Sequence, residues 1–462
     1  MRPEDLIMKV DETIRRNGLL SPGDAVLLGL SGGPDSTCLL MVLHALRQAY
    51  CLDIHAVYVN HNLRPDETPA ETAFCRSLCE GLGIAFMQRS VDVVLFSKAR
   101  RMNLQEAARE LRYQAFQDAA HEVKADRIAL AHTADDQAET FIMRLSRGAG
   151  PAGLSGIPVR RGKIVRPLLE VQRSEIDCFL KEKDIAPVMD SSNLKEDYFR
   201  NMVRLSIMPL LKRSNPNLVH SLVTTMTILQ EEERYFAVLV TKTLMKLISR
   251  KTGRRIELFL APLESMDKVI LRRVLRRVIQ ETEGLRGVGF KHIEDIIRLI
   301  RQGTAGNRLM LPQGIRVIRE YALLVITSEE PVRIAEYQLA VPGETVIVGA
   351  GLVLTASVEL HAGQMGDGRS NVVLDADRVK LPLGVRPRRA GDFFHPLGFG
   401  RTRKVQDLFV DLKVPRDERD SVPLVTSGDD IVWVAGYRAD DRFKVTEHTK
   451  KFLKLGIVKG KF

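Results

Sequence analysis

A glycine turn set between an apolar run and a helical pattern constrains this chain more than any other feature. Ala25 to Leu30 is continuously apolar, Ser31-Gly32-Gly33-Pro34-Asp35-Ser36 follows, and a helical pattern extends from Asp35 to Tyr50. A strand covered on both faces reads as an unbroken apolar run, and a strand that enters a helix through glycines is the repeating unit of a parallel α/β sheet. Three more β-rich runs, Ile54 to Val59, Ile84 to Val91 and Arg127 to Ala131, alternate with helical patterns over Glu67 to Gly81, Leu104 to Val123 and Asp136 to Arg147. The alternation predicts a doubly wound parallel sheet, whose ligands bind beyond the carboxyl ends of the strands where strand order reverses. The fourth strand is the expected neighbour of the first.

The turn itself suits a phosphate group. Glycines let backbone amides approach an anion, the helix start adds its dipole and free N–H groups, and Ser31 and Ser36 supply hydroxyl donors. It is not a Walker A loop, because no lysine follows the glycines. An ordinary turn capped by Asp35 or Ser36 is the competing account.

Charge and cysteines narrow the setting. The chain carries 69 Lys+Arg against 58 Asp+Glu, a net +11, which favours a polyanionic partner; more than half of the excess falls on residues 381–462. Lysines and arginines that only solubilise a domain explain the bias equally well. Hydrophobic residues at 45% and charged residues at 27% exclude wholesale disorder. Cys38, Cys51, Cys75, Cys79 and Cys178 form no CxxC pair, so neither a disulfide framework nor a zinc ribbon is indicated. Charged residues from Glu4 to Arg16 interrupt the N-terminal apolar residues, and no stretch approaches the roughly 18 apolar residues of a membrane helix. A cytoplasmic chain without a membrane partner is expected.

Beyond the sheet, Pro151 to Pro167 reads as a long surface loop, Ser174 to Lys183 as a helix, and Ser214-Asn215-Pro216-Asn217 as a boundary turn. Helical patterns then dominate, including Lys268 to Glu281, where Arg272, Arg273, Arg276 and Arg277 surround an apolar stripe. That arginine face suits RNA or plain solvent. The expected domains are residues 1–215, a mainly helical 216–335, a β-rich connection 336–383 and a small α+β domain 384–462.

SGGxDS after a first strand resembles the PP-loop ATP pyrophosphatases, which cleave ATP between its α- and β-phosphates. His132-Thr133-Ala134-Asp135-Asp136-Gln137-Ala138-Glu139-Thr140 after the fourth strand resembles the second motif of the tRNA lysidine and thiolation branches, as does the ExxARxxRY pattern of Glu106, Arg109, Arg112 and Tyr113. A capping box by Thr133 and Asp136, and a helix ion pair between Glu106 and Arg109, are the local alternatives. Asp190-Ser191-Ser192-Asn193 with Arg200, Asn201 and Arg204, the GNRLMLPQG segment, and Arg386 to Lys444 resemble the long, three-domain tRNA(Ile)-lysidine synthetases. Thr133 departs from relatives that carry a second histidine there.

The resemblance implies ATP and Mg²⁺ as cofactors, and the isoleucine tRNA with a CAU anticodon and L-lysine as partners; it admits a homodimer. Lysine would be ligated to C2 of the wobble cytidine through an adenylated intermediate. Ser31, Gly32, Gly33, Pro34, Asp35, Ser36 and His132 would bind the nucleotide, with Asp35 and Asp135 on the metal. Asp136 or Glu139 would hold lysine, and Arg112 and Arg204 the nucleotide or the flipped cytosine. Glu106, Arg109, Asp135, Asp136, Arg200 and Asn201 would contact substrate, and Arg386, Arg389, Arg403 and Lys404 the tRNA, beside Phe393 and Phe394, which read better as buried core aromatics. A thiolation enzyme and a non-catalytic ATP-sensing RNA binder are the alternatives.

Overall fold

The computed structural model describes residues 2–63, 66–188, 199–361, 363 and 366–459, so the Asp190–Asn193 motif lies outside the described residues. Residues 1–237 and 238–462 form two compact units.

In the first unit the elements alternate as α1 (Pro3–Asn17), β1 (Ala25–Gly29), α2 (Pro34–Tyr50), β2 (Asp53–Asn60), α3 (Thr68–Gly81), β3 (Ala85–Ser90), α4 (Val93–Arg100), α5 (Leu104–Glu122), β4 (Arg127–Ala129) and α6 (Ala134–Leu145). The sheet runs β3-β2-β1-β4 with every pair parallel, so strand order reverses between β1 and β4. Successive β1 residues point to opposite faces: Val26 and Leu28 pack with α1, α2 and α3, whereas Leu27 packs with Phe116 and Ala119 of α5. Both faces are covered, which is why β1 carries no polar side chain. A Cβ at Gly29, the last residue of β1, would lie 2.9 Å from the Phe116 ring, so only glycine lets α5 close over the strand end that feeds the loop.

Pro151–Pro167 is more ordered than a surface loop. It contains a short helix α7 (Pro151–Leu154) and a hairpin of β5 (Arg160–Arg161) and β6 (Ile164–Val165), and β6 joins the sheet parallel to β4. Helix α6 braces this segment: Gln137 exchanges hydrogen bonds with both backbone groups of Ile157, and Arg144 donates to the carbonyls of Gly153 and Gly156. Then come α8 (Arg173–Glu182), α9 (Phe199–Met202), a π turn (Val203–Ile207), α10 (Met208–Ser214) and α11 (Leu218–Leu247). The division between the two compact units falls within α11.

The second unit opens with β7 (Ile248–Lys251), β8 (Arg255–Phe259), α12 (Leu260–Ser265), α13 (Lys268–Thr282), α14 (Phe290–Gln302), β9 (Arg308–Met310), β10 (Arg316–Arg319) and β11 (Leu323–Thr327). Leu271, Val274, Leu275 and Val278 of α13 are the apolar stripe expected, and they pack with Ile293, Ile296 and Ile300 of α14 over the antiparallel sheet. Two of its arginines are engaged in ion pairs, Arg272 with Glu294 and Arg277 with Glu281. Beyond residue 330 two antiparallel sheets share a core around Trp433, and the short strands Phe393–Phe394 and Arg403–Lys404 precede a helix over Val405–Asp411. The architecture is therefore a doubly wound α/β domain, a mainly helical middle domain and a small α+β C-terminal domain. Among the described residues no helix is long and apolar enough to cross a membrane.

Candidate active site at the mouth of the first strand

The loop after β1 is built to leave its backbone donors available. Gly32 has φ +79°, a conformation that L side chains rarely adopt, and an added Cβ there would meet Cys75 Sγ at 3.3 Å. Gly33 caps α2 without a side-chain bond, so the first-turn amides keep their donors. Ser36 does internal work: its Oγ accepts from the Ser31 N–H at 3.1 Å and donates to the Gly33 carbonyl at 3.0 Å. The exposed Ser31 hydroxyl stands 3.1 Å from it. Pro34 occupies the first helical turn, where a missing N–H costs nothing. At the same end of the sheet a cleft of about 530 Å³ is lined by Asn60, Asn62, Thr68, Thr72, Arg76 and Gln88.

Four acids converge beside the loop, each held by a cation. Asp35 accepts from Arg173 at 3.0 Å. Asp135 has both oxygens engaged, one by the Arg173 backbone N–H at 2.7 Å and one by Lys212 at 2.8 Å. Asp136 closes the capping box with Thr133 and takes Arg200 at 2.6 Å and Arg204 at 3.4 Å. Glu139, almost wholly buried, accepts from Arg200 at 3.1 Å and from Arg204 at 2.6 and 3.1 Å. The capping reading of Asp136 thus holds, and the same carboxylate also anchors two guanidiniums. Asn201 lies half-buried on α9 between them in sequence.

Proton affinities in the cluster diverge. Burial pushes Asp35 up to about 6, with Arg173 opposing and Asp136 reinforcing the shift. Burial acts the same way on Asp136, but Arg200, His132, the Thr133 N–H and Arg204 hold it below the usual carboxylate range. His132 accepts from Arg166 at 3.2 Å and is pushed down to about 4, first by burial and then by Arg166, Arg200 and Arg109, with Asp136 opposing. The neutral ring therefore persists well below neutrality. Since the unfolded chain takes up that proton more readily, the stability tied to His132 is full above about 6.5 and is lost as pH falls through 4. His132→Asn is expected to flatten this acid limb in thermal melts between pH 4 and 7; an unchanged slope would refute the assignment.

The α5 residues divide. Arg109 stacks over Tyr113 at 5.3 Å and acts electrostatically on His132 and Arg166, and Arg112 donates to His61 at 3.3 Å. Glu106 is exposed, with its amide capped by Asn103, and no ion pair joins it to Arg109 among the described residues. Sequence reasoning missed Arg166, Arg173 and Lys212. The VRPLL segment that holds Arg166 has a readable signal, an arginine set among apolar residues.

Three family models match the chain: a PP-loop domain over residues 4–211, a TilS substrate binding domain over 258–324 and a TilS substrate C-terminal domain over 383–455. The tRNA(Ile)-lysidine synthase of Caldanaerobacter subterraneus subsp. tengcongensis is 34% identical over 463 residues, covering 98% of both chains. That of Symbiobacterium thermophilum is 35% identical over 476 residues, again covering 98% of both. The chain belongs to the tRNA(Ile)-lysidine synthase family. Its members are PP-loop, ATP-dependent enzymes of tRNA modification, and the loop, the acids after β4 and the C-terminal domain occupy the segments that the family models span.

The C-terminal cations of this family member are unequally available. Arg386 forms a two-pronged pair with Asp392 at 2.8 and 2.9 Å, Arg389 pairs with Glu336, and Arg403 with Asp411. These three are already neutralised. Lys404 has no ion pair among the described residues, and Arg401 and Arg403 lie over the Phe399 ring at 5.4 and 5.3 Å. Of the two adjacent phenylalanines Phe394 is core and Phe393 is exposed.

Proposed function

We propose that the chain ligates L-lysine to C2 of the wobble cytidine of the isoleucine tRNA with a CAU anticodon. The observation that carries this reading is the set of four acids and opposing guanidiniums at the open end of the loop, in a chain whose relatives match it from end to end. In the first step the C2 oxygen attacks the α-phosphorus of ATP and pyrophosphate leaves. In the second the lysine ε-ammonium gives its proton to a neighbouring carboxylate or water, the free amine attacks C2 and releases a further proton the same way, and AMP departs with the oxygen.

The loop amides of Gly32 and Gly33, the α2 N-terminus and the Ser31 hydroxyl cradle phosphate charge. The neighbouring cleft takes the nucleoside. Asp35, held by Arg173 alone among the described residues and not sealed from solvent, fits a magnesium ion that arrives with the triphosphate, since such ions use one or two carboxylates plus phosphate oxygens. Asp135 fits less well, because both its oxygens are engaged. Held by Asp35, such an ion would neutralise phosphate charge and help orient the leaving group. Asp136 and Glu139 receive the lysine ammonium in competition with Arg200 and Arg204, whose guanidiniums then turn toward the adenylate. Neutral His132 does not compete for the ammonium.

Buried thiols weigh against sulfur transfer: burial raises Cys75 to about 12 and Cys79 to about 11, far from nucleophilic thiolates. The test is incorporation of labelled lysine into purified isoleucine tRNA with ATP, against methionine tRNA. Pyrophosphate release without incorporation would overturn the reading in favour of another nucleophile.

On the C-terminal domain, Arg401, Lys404, Phe399 and Phe393 supply the tRNA contacts, by phosphate pairing and base stacking. The double substitution Arg401→Ala with Lys404→Ala is expected to weaken tRNA binding and to reduce the slope of log K against log salt by about 1–2. Binding with an unaltered salt slope would remove these residues from the interface.

A further inference from the structure

The geometry points to Arg173 as a pyrophosphate-binding residue that also serves as the resident cation on Asp35 until the metal–nucleotide arrives. The inference rests on the ATP reading of the loop given above. Arg173 opens α8, and three of its groups reach three different acids: the backbone N–H to Asp135 at 2.7 Å, Nη1 to Asp35 at 3.0 Å and Nε to Asp177 at 2.8 Å. The backbone bond fixes where the side chain starts. Asp177, one helical turn along, then orients the guanidinium.

The two carboxylate partners differ in kind. Asp177 is well exposed, so its pair is weak and serves as a tether, whereas Asp35 is largely withdrawn from water and needs a cation whenever it is ionised. A metal ion that takes Asp35 frees Nη1 while Nε keeps Asp177. The guanidinium fork is then available beside the α2 N-terminus, where its geometry matches phosphate oxygens. The β- and γ-phosphates are the groups that leave together as pyrophosphate, and an arginine released by the incoming metal binds them only when the metal is in place.

A purely structural staple between α8 and α2 is the competing account, and two ligands separate them. Binding of inorganic pyrophosphate in the presence of Mg²⁺ is read by calorimetry, and binding of Mn²⁺ alone, as a spectroscopic substitute for magnesium, by electron paramagnetic resonance, both on the full chain. Arg173→Ala is expected to weaken pyrophosphate about tenfold, the loss of a charge-assisted bond, while tightening Mn²⁺ about threefold because a competing cation is gone. Arg173→Lys keeps the charge and loses the fork, so it should leave Mn²⁺ binding unchanged and still weaken pyrophosphate. Asp177→Asn, on the exposed side of α8, should weaken pyrophosphate through loss of the tether. Pyrophosphate bound as tightly by Arg173→Ala as by the unaltered chain, or both ligands weakened together, overturns the inference. Failure of the unaltered chain to bind either ATP or pyrophosphate would instead bring down the reading of the loop.

Discussion

Asp35→Asn is expected to give a protein that is more stable at neutral pH and nearly inactive. Burial raises the Asp35 carboxyl from 3.8 to about 6, so the folded chain holds that proton more tightly than the unfolded chain does. Stability therefore falls as pH rises from about 4 to about 6, and above 6 the full cost of the buried charge is present, about 2–3 kcal/mol. Asparagine carries no such cost. Arg173 loses one partner but keeps Asp177 and remains partly hydrated, which trims the gain to about 1–2 kcal/mol. The charge removed is the one proposed to face the metal and phosphates, so turnover should drop about 10²–10³-fold. Urea melts at pH 4 and pH 7 check the first half: the advantage of the variant should vanish at pH 4. A variant less stable than the parent at pH 7 would show that the Arg173 contact outweighs the desolvation of Asp35.

Glu139→Ala should be the most damaging single change in the cluster. Its carboxylate, nearly inaccessible to solvent, is the meeting point of Arg200 and Arg204. Removing it leaves two guanidiniums sharing Asp136 among the described residues. Breaking a buried pair from one side costs about 3–5 kcal/mol, and the partial exposure of both arginines lowers the expectation here to about 2–4 kcal/mol. The double variant Glu139→Ala with Arg204→Met should recover part of that loss, because two guanidiniums no longer compete for Asp136. Strict additivity of the two changes in denaturant melts would mean that the pair is not energetically coupled. Activity should fall at least about 10²-fold in the single variant, since positioning of both lysine and the guanidiniums is lost.

What the chain revealed before its structure was known follows from the range of each interaction. Strand β1 is legible because residues buried on both sides of a sheet leave an unbroken apolar run, and β2 and β4 because theirs is interrupted only by His55 within β2 and led by Arg127 in β4. The β5–β6 hairpin escaped because two-residue strands carrying Arg160 and Arg161 have no such run. Loop chemistry was legible for the same local reason: Ser31 to Ser36 act within six neighbouring positions. The cation on Asp35 was not, since Arg173 stands 138 residues away and side-chain pairing over that span leaves no periodic trace. Lys212 reaches Asp135 across 77 residues and was missed likewise. In the C-terminal domain, adjacent residues on a strand face opposite ways, so Phe393 and Phe394 could not both be core, and composition alone does not say which is outside. Nor does it say which arginines are already neutralised by Asp392, Glu336 and Asp411.

The π turn at Val203–Ile207 sets a reading frame for the helical stretch that crosses the site. Arg200 precedes it, Arg204 lies within it and Lys212 follows it, yet all three reach acids at the start of α6 or just inside it. A π turn holds one residue more than an α turn, so everything after it is rotated by about 100° relative to an uninterrupted α-helix. Deleting a single residue from this turn would allow a smoother helix and keep every charged side chain in the sequence, while swinging Lys212 a quarter-turn or more away from Asp135. The surplus residue is thus a phase shifter: two groups of cations on one rod stay in register with the same wall of carboxylates because the rod has a built-in slip.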